Sequence, residues 1–291
     1  MSHTLIDTPL LSILIPTYNR EEYIEQCIAS VLEQPFADFE IIISDNASTD
    51  RSCEIIQKLQ TREPRIKLIR QPSNMGPVPN WKTCLDAATG RYIHWLWSDD
   101  YVHADFYTEW NMFRLQTGNT GKMFCCAINY DDGGSISPAY RYPSGSYSWG
   151  ELIQKPLNFP VIPVSPAAYV LPAEAVRNHF YNHIPAKGSI DCVGRAIGVD
   201  FLMVAGTLRD VGTMCLCPKP MVFFRKHMQS ISVIENDTTL HVHYIYALLW
   251  LLLQSPTCIP WHKRWKIYKK IKRMNHPALT DAGRKLLLKI F

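Results

Sequence analysis

Short β-rich runs alternate with helical patterns through the first 130 residues, and this alternation constrains the fold more than any other feature of the sequence. Each run ends at a polar or proline-containing turn, and apolar residues recur at helical spacing between the runs. Parallel strands need a crossover connection, and a helix is the usual one. The sequence therefore predicts an α/β domain with a mainly parallel sheet. Its predicted strands are residues 10–15, 39–43, 66–69, 92–97 and 123–128.

The regular alternation ends after the last of these strands. Residues 130–166 are rich in Pro, Tyr and Ser, which predicts a loop or lid region. A helical pattern over residues 199–204 and a strand pattern over residues 213–224 follow. We assign all of these elements to one domain, residues 1–235.

Basic residues are concentrated at the end of the chain. Residues 261–291 contain ten Lys or Arg and one Asp, whereas the whole chain has 30 basic and 26 acidic residues, so the preceding part is acidic. The tail also has an amphipathic helical pattern from residue 241 onward. We therefore predict a helical, basic extension over residues 236–291.

Aromatic and leucine side chains accompany the basic residues of this extension. They are Tyr244, Leu248, Trp250, Leu251, Leu252, Trp261, Trp265 and Tyr268. Aromatic anchors beside a basic face are typical of segments in the headgroup region of an anionic membrane, and this is the predicted partner. The alternatives are packing on the domain and an oligomer contact. Nucleic acid is excluded as a partner because no recognised binding motif accompanies the charge.

Composition and cysteine spacing indicate an intracellular globular protein. Hydrophobic residues make up 47% of the chain and charged residues 19%, which excludes a disordered, collagen-like or coiled-coil chain. The nine cysteines form no C-x-x-C pair, so neither a disulfide framework nor a zinc site is expected. The first ten residues lack a signal-peptide pattern, and the most apolar run, residues 244–253, is half the length of a membrane span. A cytoplasmic location is therefore expected.

Two adjacent carboxylates follow a strand pattern that is apolar throughout. Asp99 and Asp100 come directly after residues 92–97, at the end of a strand expected to be buried. Open α/β sheets bind ligands at the carboxyl ends of their strands, and hard oxygen ligands there suit Mg²⁺ or Mn²⁺. The alternative is that these residues cap a helix that starts near His103.

Four separated segments together resemble one enzyme family. They are LSILIPTYNR at residues 11–20, ISDNASTD at residues 43–50, WSDD at residues 97–100 and CPKPMVFFRKH at residues 217–227. In this order and spacing they resemble the family 2 glycosyltransferases, in particular the bacterial enzymes that build cell-surface polysaccharides. The resemblance implies the GT-A fold, a Rossmann-like domain that binds a nucleotide-sugar, and it extends roughly over residues 10–235.

The resemblance also implies a set of residues that bind the donor. In the family, the positions of Pro16, Thr17, Tyr18 and Asp45 hold the base and ribose. The alternative for these residues is ordinary turn chemistry at a strand end. The whole predicted donor set is Pro16, Thr17, Tyr18, Asp45, Arg70, Asp99, Asp100 and Arg225.

A metal site is implied by the same comparison, with one departure from the family pattern. The predicted ligands of Mg²⁺ or Mn²⁺ are Asp99, Asp100 and His227. The family motif is Asp-x-Asp, and Asp99 matches its second acid. Trp97 stands where the first acid is expected, so that carboxylate contact is missing.

The catalytic base has two candidates in the sequence. An inverting transfer needs a base that takes the proton of the acceptor hydroxyl. The family places this carboxylate about 25 residues before the distal Arg, which implies Asp200, although Val199 replaces the Glu that usually precedes it. Asp191, with Arg195 four residues later, is the alternative.

The predicted function follows from this resemblance. It is an inverting, metal-dependent transfer of one sugar from a nucleotide-sugar to a saccharide acceptor, lipid-linked, in the biosynthesis of O-antigen, capsule or a related surface glycan. The enzyme is expected to lie on the inner face of the membrane as a peripheral protein. A non-catalytic binding module descended from such enzymes is the alternative, since Trp97 and Val199 stand at normally acidic positions. A transferase of the same fold that makes repeated additions or moves a phosphate-linked unit is a third possibility.

Overall fold

The structure is a computed structural model, and it describes most of the chain. The described residues are 8–118, 121–138, 145–150, 163–181, 183–228, 230, 237–254 and 259–288. Much of the predicted lid and the predicted boundary between domain and extension therefore lie outside the described residues.

One mixed sheet forms the centre of the molecule. In the described part of the chain its strands are β1 Leu11–Thr17, β2 Phe39–Asp45, β3 Ile66–Arg70, β4 Tyr92–Trp95, β5 Tyr101–Val102, β6 Met123–Asp131, β7 Ile136–Pro138, β8 Gly145–Ser148, β9 Tyr169–Pro172 and β10 Thr213–Arg225. They run in the order β3-β2-β1-β4-β9-β6-β10-β5, with β7 beside β6 and β8 beside β10. Strands β1 to β4 are mutually parallel, and β6 and β10 run parallel to each other. Because β9 is antiparallel to both β4 and β6, β4 and β6 run in the same direction. Their carboxyl ends therefore lie at the same edge of the sheet.

Helices cover the sheet and extend beyond it. They are α1 Ile24–Leu32, α2 Ser52–Gln60, α3 Pro77–Ala87, α4 Phe106–Gln116, α5 Ala173–Asn178, α6 Val199–Val211, α7 Asp237–Gln254, α8 Trp261–Arg273 and α9 Pro277–Leu288. Helix α1 shows how the pattern fixes the packing, since Ile24, Cys27, Ile28 and Val31 recur on one face and all are buried. The predicted helical extension is confirmed by α7, α8 and α9.

The structure changes the predicted ends of several strands. Strands β1 and β2 continue two residues past their predicted ends, to Thr17 and Asp45, whereas β4 ends at Trp95. The helix after β4 begins at Phe106 and follows Asp105, so the idea that Asp99 and Asp100 cap a helix is wrong. Both carboxylates lie instead in the turn between β4 and β5.

Helix α7 corrects part of the prediction for the tail. Its residues Tyr246, Leu248, Leu251 and Leu252 are buried, because α7 packs against α6 and α9. The first half of the predicted membrane anchor therefore belongs to the protein core, as the packing alternative required. In the described ranges, no helix has the length and apolarity needed to cross a bilayer.

Candidate active site

A cavity of about 530 Å³ opens at the edge of the sheet where the parallel strands end. The ends of β1, β6 and β10 and the turns after β2 and β4 contribute to its lining. Residues at the start of α3, residues 164–165, the start of α6 and helix α7 also line it. Of the predicted site residues, those that line it are Pro16, Thr17, Tyr18, Asp99, Asp100, Asp200 and Arg225. The topology thus brings together residues that are more than 200 positions apart in the chain.

Three predicted donor-binding residues lie side by side on neighbouring strands. Thr17 pairs with Asp45 across β1 and β2, and Asp45 pairs with Arg70 across β2 and β3. Asp45 is almost completely buried, and its Oδ2 accepts a hydrogen bond from the Ser48 N–H at 3.2 Å. Its Oδ1 is buried without a hydrogen-bond partner among the described residues. A buried carboxylate oxygen is costly to leave unpaired, so this oxygen is a candidate acceptor for a ligand N–H or O–H.

The asparagines near this edge hold the turns in place. Asn46 Nδ2 donates to Asn74 Oδ1 at 2.9 Å and to the Gly76 carbonyl at 3.1 Å. Asn80 Oδ1 accepts the Ser44 hydroxyl at 2.6 Å. These contacts join the turn after β2 to the start of α3, and Asn46, Asn74 and Asn80 also line the cavity.

Asp99 lies among two arginines and a histidine. Its Oδ2 is 2.8 Å from His227 Nε2 and 3.5 Å from Arg20 Nε. Burial acts to raise the pKa of Asp99, but the hydrogen bond from His227 and the charge of Arg20 outweigh it and hold that pKa below its ordinary value. Arg225 also contacts this residue, since its Nη1 donates to the Asp99 carbonyl at 2.6 Å. Asp99 is therefore an ionised carboxylate surrounded by groups that also suit a phosphate.

Arg225 is fixed in place from several sides. Its guanidinium lies 4.6 Å from the ring centroid of Tyr101 and 5.4 Å from that of Tyr23, and Nη2 donates to Gln26 Oε1. Its backbone N–H donates to Asp100 Oδ1 at 3.1 Å. Burial, together with the negative charge of Asp99, raises the pKa of Asp100 well above its ordinary value. Asp100 thus joins β10 to the turn after β4.

Trp97 fills the position of the missing acid with a packed indole. Its Nε1–H donates to Ser165 Oγ at 2.9 Å, and its ring centroid lies 4.9 Å from that of Trp81 at an interplanar angle of 38°. Both indoles line the cavity. The site therefore has an aromatic wall beside Asp99 where a second carboxylate was expected.

Asp200 stands in the first turn of α6, which begins after a glycine with unusual backbone geometry. Gly198 has φ +96°, and a Cβ there would lie 2.9 Å from Ala247 Cβ. The Gly198 N–H donates to Asp200 Oδ1 at 2.9 Å, and the Tyr244 hydroxyl donates to Asp200 Oδ2 at 3.0 Å. Burial raises the pKa of Asp200 to about 6, although these hydrogen bonds and that of the Phe201 N–H oppose the rise. A carboxylate with such a pKa is suited to accept a proton near neutral pH.

The alternative base has a different environment. Asp191 Oδ1 accepts the Gly194 N–H at 2.8 Å, and the Asp191 N–H donates to His243 Nε2 at 3.2 Å. Asp191 does not line the cavity, whereas Asp200 does. The geometry thus favours Asp200 over Asp191 as the group that meets a bound substrate.

Several residues of the cavity were not among the predicted site residues, and they include Arg20, Trp81, Ser165 and Tyr244. Tyr244 was predicted instead as an aromatic membrane anchor. Arg20 is the last residue of the segment at residues 11–20 that resembles the family. Its position just after a predicted strand could have identified it as a site residue. Ser165 and Tyr244 are distant in sequence from every motif, and only the tertiary structure brings them to the site.

The donor atoms near Asp99 limit what kind of metal ion fits. Asp99 Oδ2 and His227 Nε2 offer one oxygen and one nitrogen, and Trp97 offers none. Within the described ranges, no group of three or more His, Cys, Asp or Glu side chains is arranged to hold a metal. This donor set fits a hard divalent ion only when a substrate supplies further oxygen ligands.

Comparison with solved structures supports the fold. Staphylococcus aureus TarS 1-349 superimposes with a TM-score of 0.62 at 16% identity, over 95% of this chain and 90% of that chain. The structure titled as TarS 1-349 in complex with UDP-GlcNAc gives a TM-score of 0.60 at 17% identity, over 96% and 70% of the two chains. The predicted GT-A fold, with its mixed sheet and helical extension, is confirmed.

Curated relatives match shorter stretches. An uncharacterized glycosyltransferase of Haemophilus influenzae is 40% identical over 38% of this chain and 44% of its own length. The GalNAc(5)-diNAcBac-PP-undecaprenol beta-1,3-glucosyltransferase of Campylobacter jejuni is 40% identical over 32% of this chain and 30% of its own. A chondroitin synthase of Pasteurella multocida is 32% identical over 53% and 15%. The chain thus aligns with less than half of each of these proteins.

The family assignment depends on the part of the chain that contains β1 to β4, Asp45 and Asp99. Residues 12–176, more than half of the chain, match glycosyl transferase family 2. Together with the ligand-binding edge described above, this match shows that the protein is a member of the family 2 glycosyltransferases.

Proposed function

We propose that this protein transfers one sugar, with inversion, from a nucleotide-sugar to the hydroxyl of a saccharide acceptor. The observation that carries the proposal is the presence, in one cavity, of Asp200, with its pKa raised to about 6, and of the cations around Asp99. In an inverting displacement the acceptor oxygen attacks the anomeric carbon while the nucleoside diphosphate leaves from the opposite face. Asp200 takes the proton of the attacking hydroxyl, and Arg225 stabilises the charge that develops on the departing diphosphate.

The nucleotide is proposed to occupy the ends of β1, β2 and β3. Thr17, Asp45 and Arg70 are adjacent there, and Asp45 Oδ1 has no partner among the described residues. A ribose hydroxyl or base N–H satisfies this oxygen. The TarS structure named above is a complex with UDP-GlcNAc, which supports a nucleotide-sugar as the donor.

Mg²⁺ or Mn²⁺ is proposed to bind beside Asp99 and His227, with the diphosphate as the source of its other ligands. When bound, the ion offsets the negative charge of the diphosphate and improves it as a leaving group. Asp100 was also predicted as a metal ligand, but its Oδ1 accepts the Arg225 N–H. It is proposed to hold the backbone of Arg225 in place beside Asp99.

The acceptor is proposed to be lipid-linked, in the biosynthesis of O-antigen, capsule or a related surface glycan. The name of the Campylobacter jejuni relative includes an undecaprenol-linked glycan, and the Pasteurella relative is named as a polysaccharide synthase. Helix α8 offers a membrane contact, because Trp261 and Trp265 are exposed beside Lys266 and Lys269. On this proposal the protein works at the inner face of the membrane as a peripheral enzyme.

Thermal stabilisation by nucleotides tests the proposed function. The purified protein is melted with UDP, GDP, CDP and dTDP, each with and without Mn²⁺. A ligand that binds the folded state raises the melting temperature with the logarithm of its concentration over its Kd. We expect one nucleotide to exceed the others and to do so more strongly with Mn²⁺. If no nucleotide stabilises the protein, the transferase proposal is wrong and a saccharide-binding module is favoured.

Vesicle sedimentation tests the membrane part separately. The protein is mixed with vesicles of phosphatidylglycerol in phosphatidylcholine and with vesicles of phosphatidylcholine alone. We expect sedimentation with the anionic vesicles and a large reduction for the double variant Trp261→Ser, Trp265→Ser. Equal recovery of variant and wild type would show that α8 is not the contact.

A further inference from the structure

The lining of the cavity contains two chemically different groups of residues. The charged residues are Arg20, Asp99, Asp100, Asp200 and Arg225, which the proposed function assigns to the diphosphate and the acceptor hydroxyl. A second group is apolar and includes Trp81, Trp97, Val164, Ala196 and Ile197. The proposed chemistry gives this second group no role, although it includes two of the eight tryptophans of the chain.

Trp97 is the member of this group that stands next to the charged residues. It precedes Asp99 by two positions and is partly exposed at the cavity, whereas Trp81 behind it is 7% exposed. Its indole N–H is already bonded to Ser165 Oγ at 2.9 Å. A bound ligand therefore meets the apolar face of the ring and not its polar atom.

The contacts of Trp97 also fix the orientation of that face. The ring centroid lies 4.9 Å from that of Trp81 and 6.2 Å from that of Trp95, and the Ser165 hydroxyl accepts the indole N–H. A surface held in this way loses little conformational entropy when a ligand binds to it.

We propose that Trp97, supported by Trp81, is the surface on which the pyranose ring of the donor packs through its C–H face. This inference rests on the proposed function and adds a residue that recognises the sugar and not the nucleotide. The sugar lies between the diphosphate near Asp99 and the base Asp200, and Trp97 lines the cavity that holds both. A pyranose has one face of C–H groups, which removes apolar area from water when it covers an aromatic ring.

The test compares binding of a nucleotide with binding of its sugar conjugate. Isothermal titration calorimetry gives Kd values for UDP, GDP, CDP and dTDP and for their glucose conjugates. The proteins are the wild type, Trp97→Leu, Trp97→Phe and Ser165→Ala. The matched control is Trp250→Leu on α7, which replaces an indole that packs on Tyr181 and does not line the cavity. Circular dichroism and melting temperatures establish that each variant is folded.

We expect Trp97→Leu to weaken binding of the glucose conjugate by about 10-fold while changing Kd for the free nucleotide by less than about 2-fold. Trp97→Phe, which keeps an aromatic face, stays within about 3-fold of the wild type for both ligands. Ser165→Ala keeps the indole but removes its anchor, and it weakens the conjugate selectively by about 3-fold. If Trp97→Leu does not fold, Ser165→Ala still tests the role of the indole.

Two outcomes overturn the inference, and they differ from each other. In the first, the wild type binds nucleotides, but the folded variants lose affinity for nucleotide and conjugate equally or keep full affinity for both. Trp97 then does not recognise the sugar, and the proposed function stands. If the wild type binds none of the eight ligands, the proposed function fails and the inference fails with it.

Discussion

The Tyr244 hydroxyl donates a hydrogen bond to Asp200 Oδ2 over 3.0 Å, which joins the first helix of the extension to the proposed catalytic base. Leu240 and Tyr244 of this helix, α7, also line the cavity. Both Tyr244 and Asp200 lie beyond residue 176, outside the part of the chain that matches the family. The extension is therefore a structural part of the site.

Replacement of Asp200 is expected to abolish transfer while the fold is kept. Loss of a general base costs roughly 10²- to 10⁴-fold in rate, so Asp200→Asn should reduce kcat by that range with little change in Kd for the nucleotide. The matched control is Asp191→Asn, which removes a carboxylate outside the cavity and should leave kcat within a factor of about 3 of the wild type. Sugar transfer measured by release of nucleoside diphosphate checks both. The reverse ranking of the two variants would identify Asp191 as the base.

The rate of transfer is expected to rise with pH through the pKa of Asp200. Burial raises that pKa to about 6, and the base is active only when it is ionised, so kcat/KM should climb between pH 5 and pH 7. Tyr244→Phe removes a donor that stabilises the carboxylate, which should move this limb to higher pH by up to about one unit. Tyr246→Phe, on the same helix but bonded to the Pro185 carbonyl, is the control. An unchanged pH profile in Tyr244→Phe contradicts the assignment.

The same shift predicts a pH-dependent difference in stability. Because the folded-state pKa of Asp200 is raised from 3.8 to about 6, the folded protein binds a proton that the unfolded chain has released. The stability from this group is present at low pH and is lost as the pH rises through 6. Asp200→Asn has no such carboxyl group, so its free energy of unfolding does not fall in this way. The difference in unfolding free energy, variant minus wild type, should therefore rise by on the order of 1 kcal/mol between pH 5 and pH 7.5. Urea unfolding at the two pH values measures it, and a constant difference argues against the raised pKa.

Asp45 is expected to matter for the nucleotide and not for the fold. Asp45→Ala removes the oxygen that is buried without a partner among the described residues, so nucleotide Kd should rise by about 10-fold or more. The melting temperature without ligand should stay near that of the wild type, since the Ser48 N–H is the one described group that loses a hydrogen bond. Asp86→Ala, on the exposed face of α3, controls for the loss of one negative charge. Unchanged Kd in the Asp45 variant would place the nucleotide elsewhere.

His227 is expected to contribute to the metal-dependent part of nucleotide binding. His227→Ala leaves Asp99 as the one proposed donor side chain of the pair, so the extra thermal stabilisation that Mn²⁺ gives to the nucleotide should be largely lost. Stabilisation by the nucleotide without metal should persist, because Arg20 and Arg225 remain. His103→Ala removes an exposed imidazole and should behave as the wild type. If the Mn²⁺ effect survives in His227→Ala, His227 is not a ligand.

Residues near strand ends were the most predictable part of the site. Asp99 was predicted from the polar residues that follow a buried strand, since open α/β sheets bind ligands at the carboxyl ends of their strands. Thr17 and Asp45 were implied by the resemblance to the family, and the structure places them side by side at the same edge. The residues from distant segments could not be found in this way. Ser165 and Tyr244 reach the cavity through the packing of the 3₁₀ turn at Pro166–Ala168 and of α7, and no local pattern encodes those contacts.

The sequence by itself determined the alternation of strands and helices, the edge of the sheet at which the cavity opens and the family of the chain. Hydrophobic periodicity and turn residues are local properties, so they can be recognised one segment at a time. Tertiary structure decided that the apolar helix α7 packs in the core and not on a membrane, that Trp97 is an anchored wall of the cavity, and that Asp200 and not Asp191 lines it. These outcomes depend on which surfaces meet when distant segments pack together, and the pKa of Asp200 depends on the burial that this packing produces.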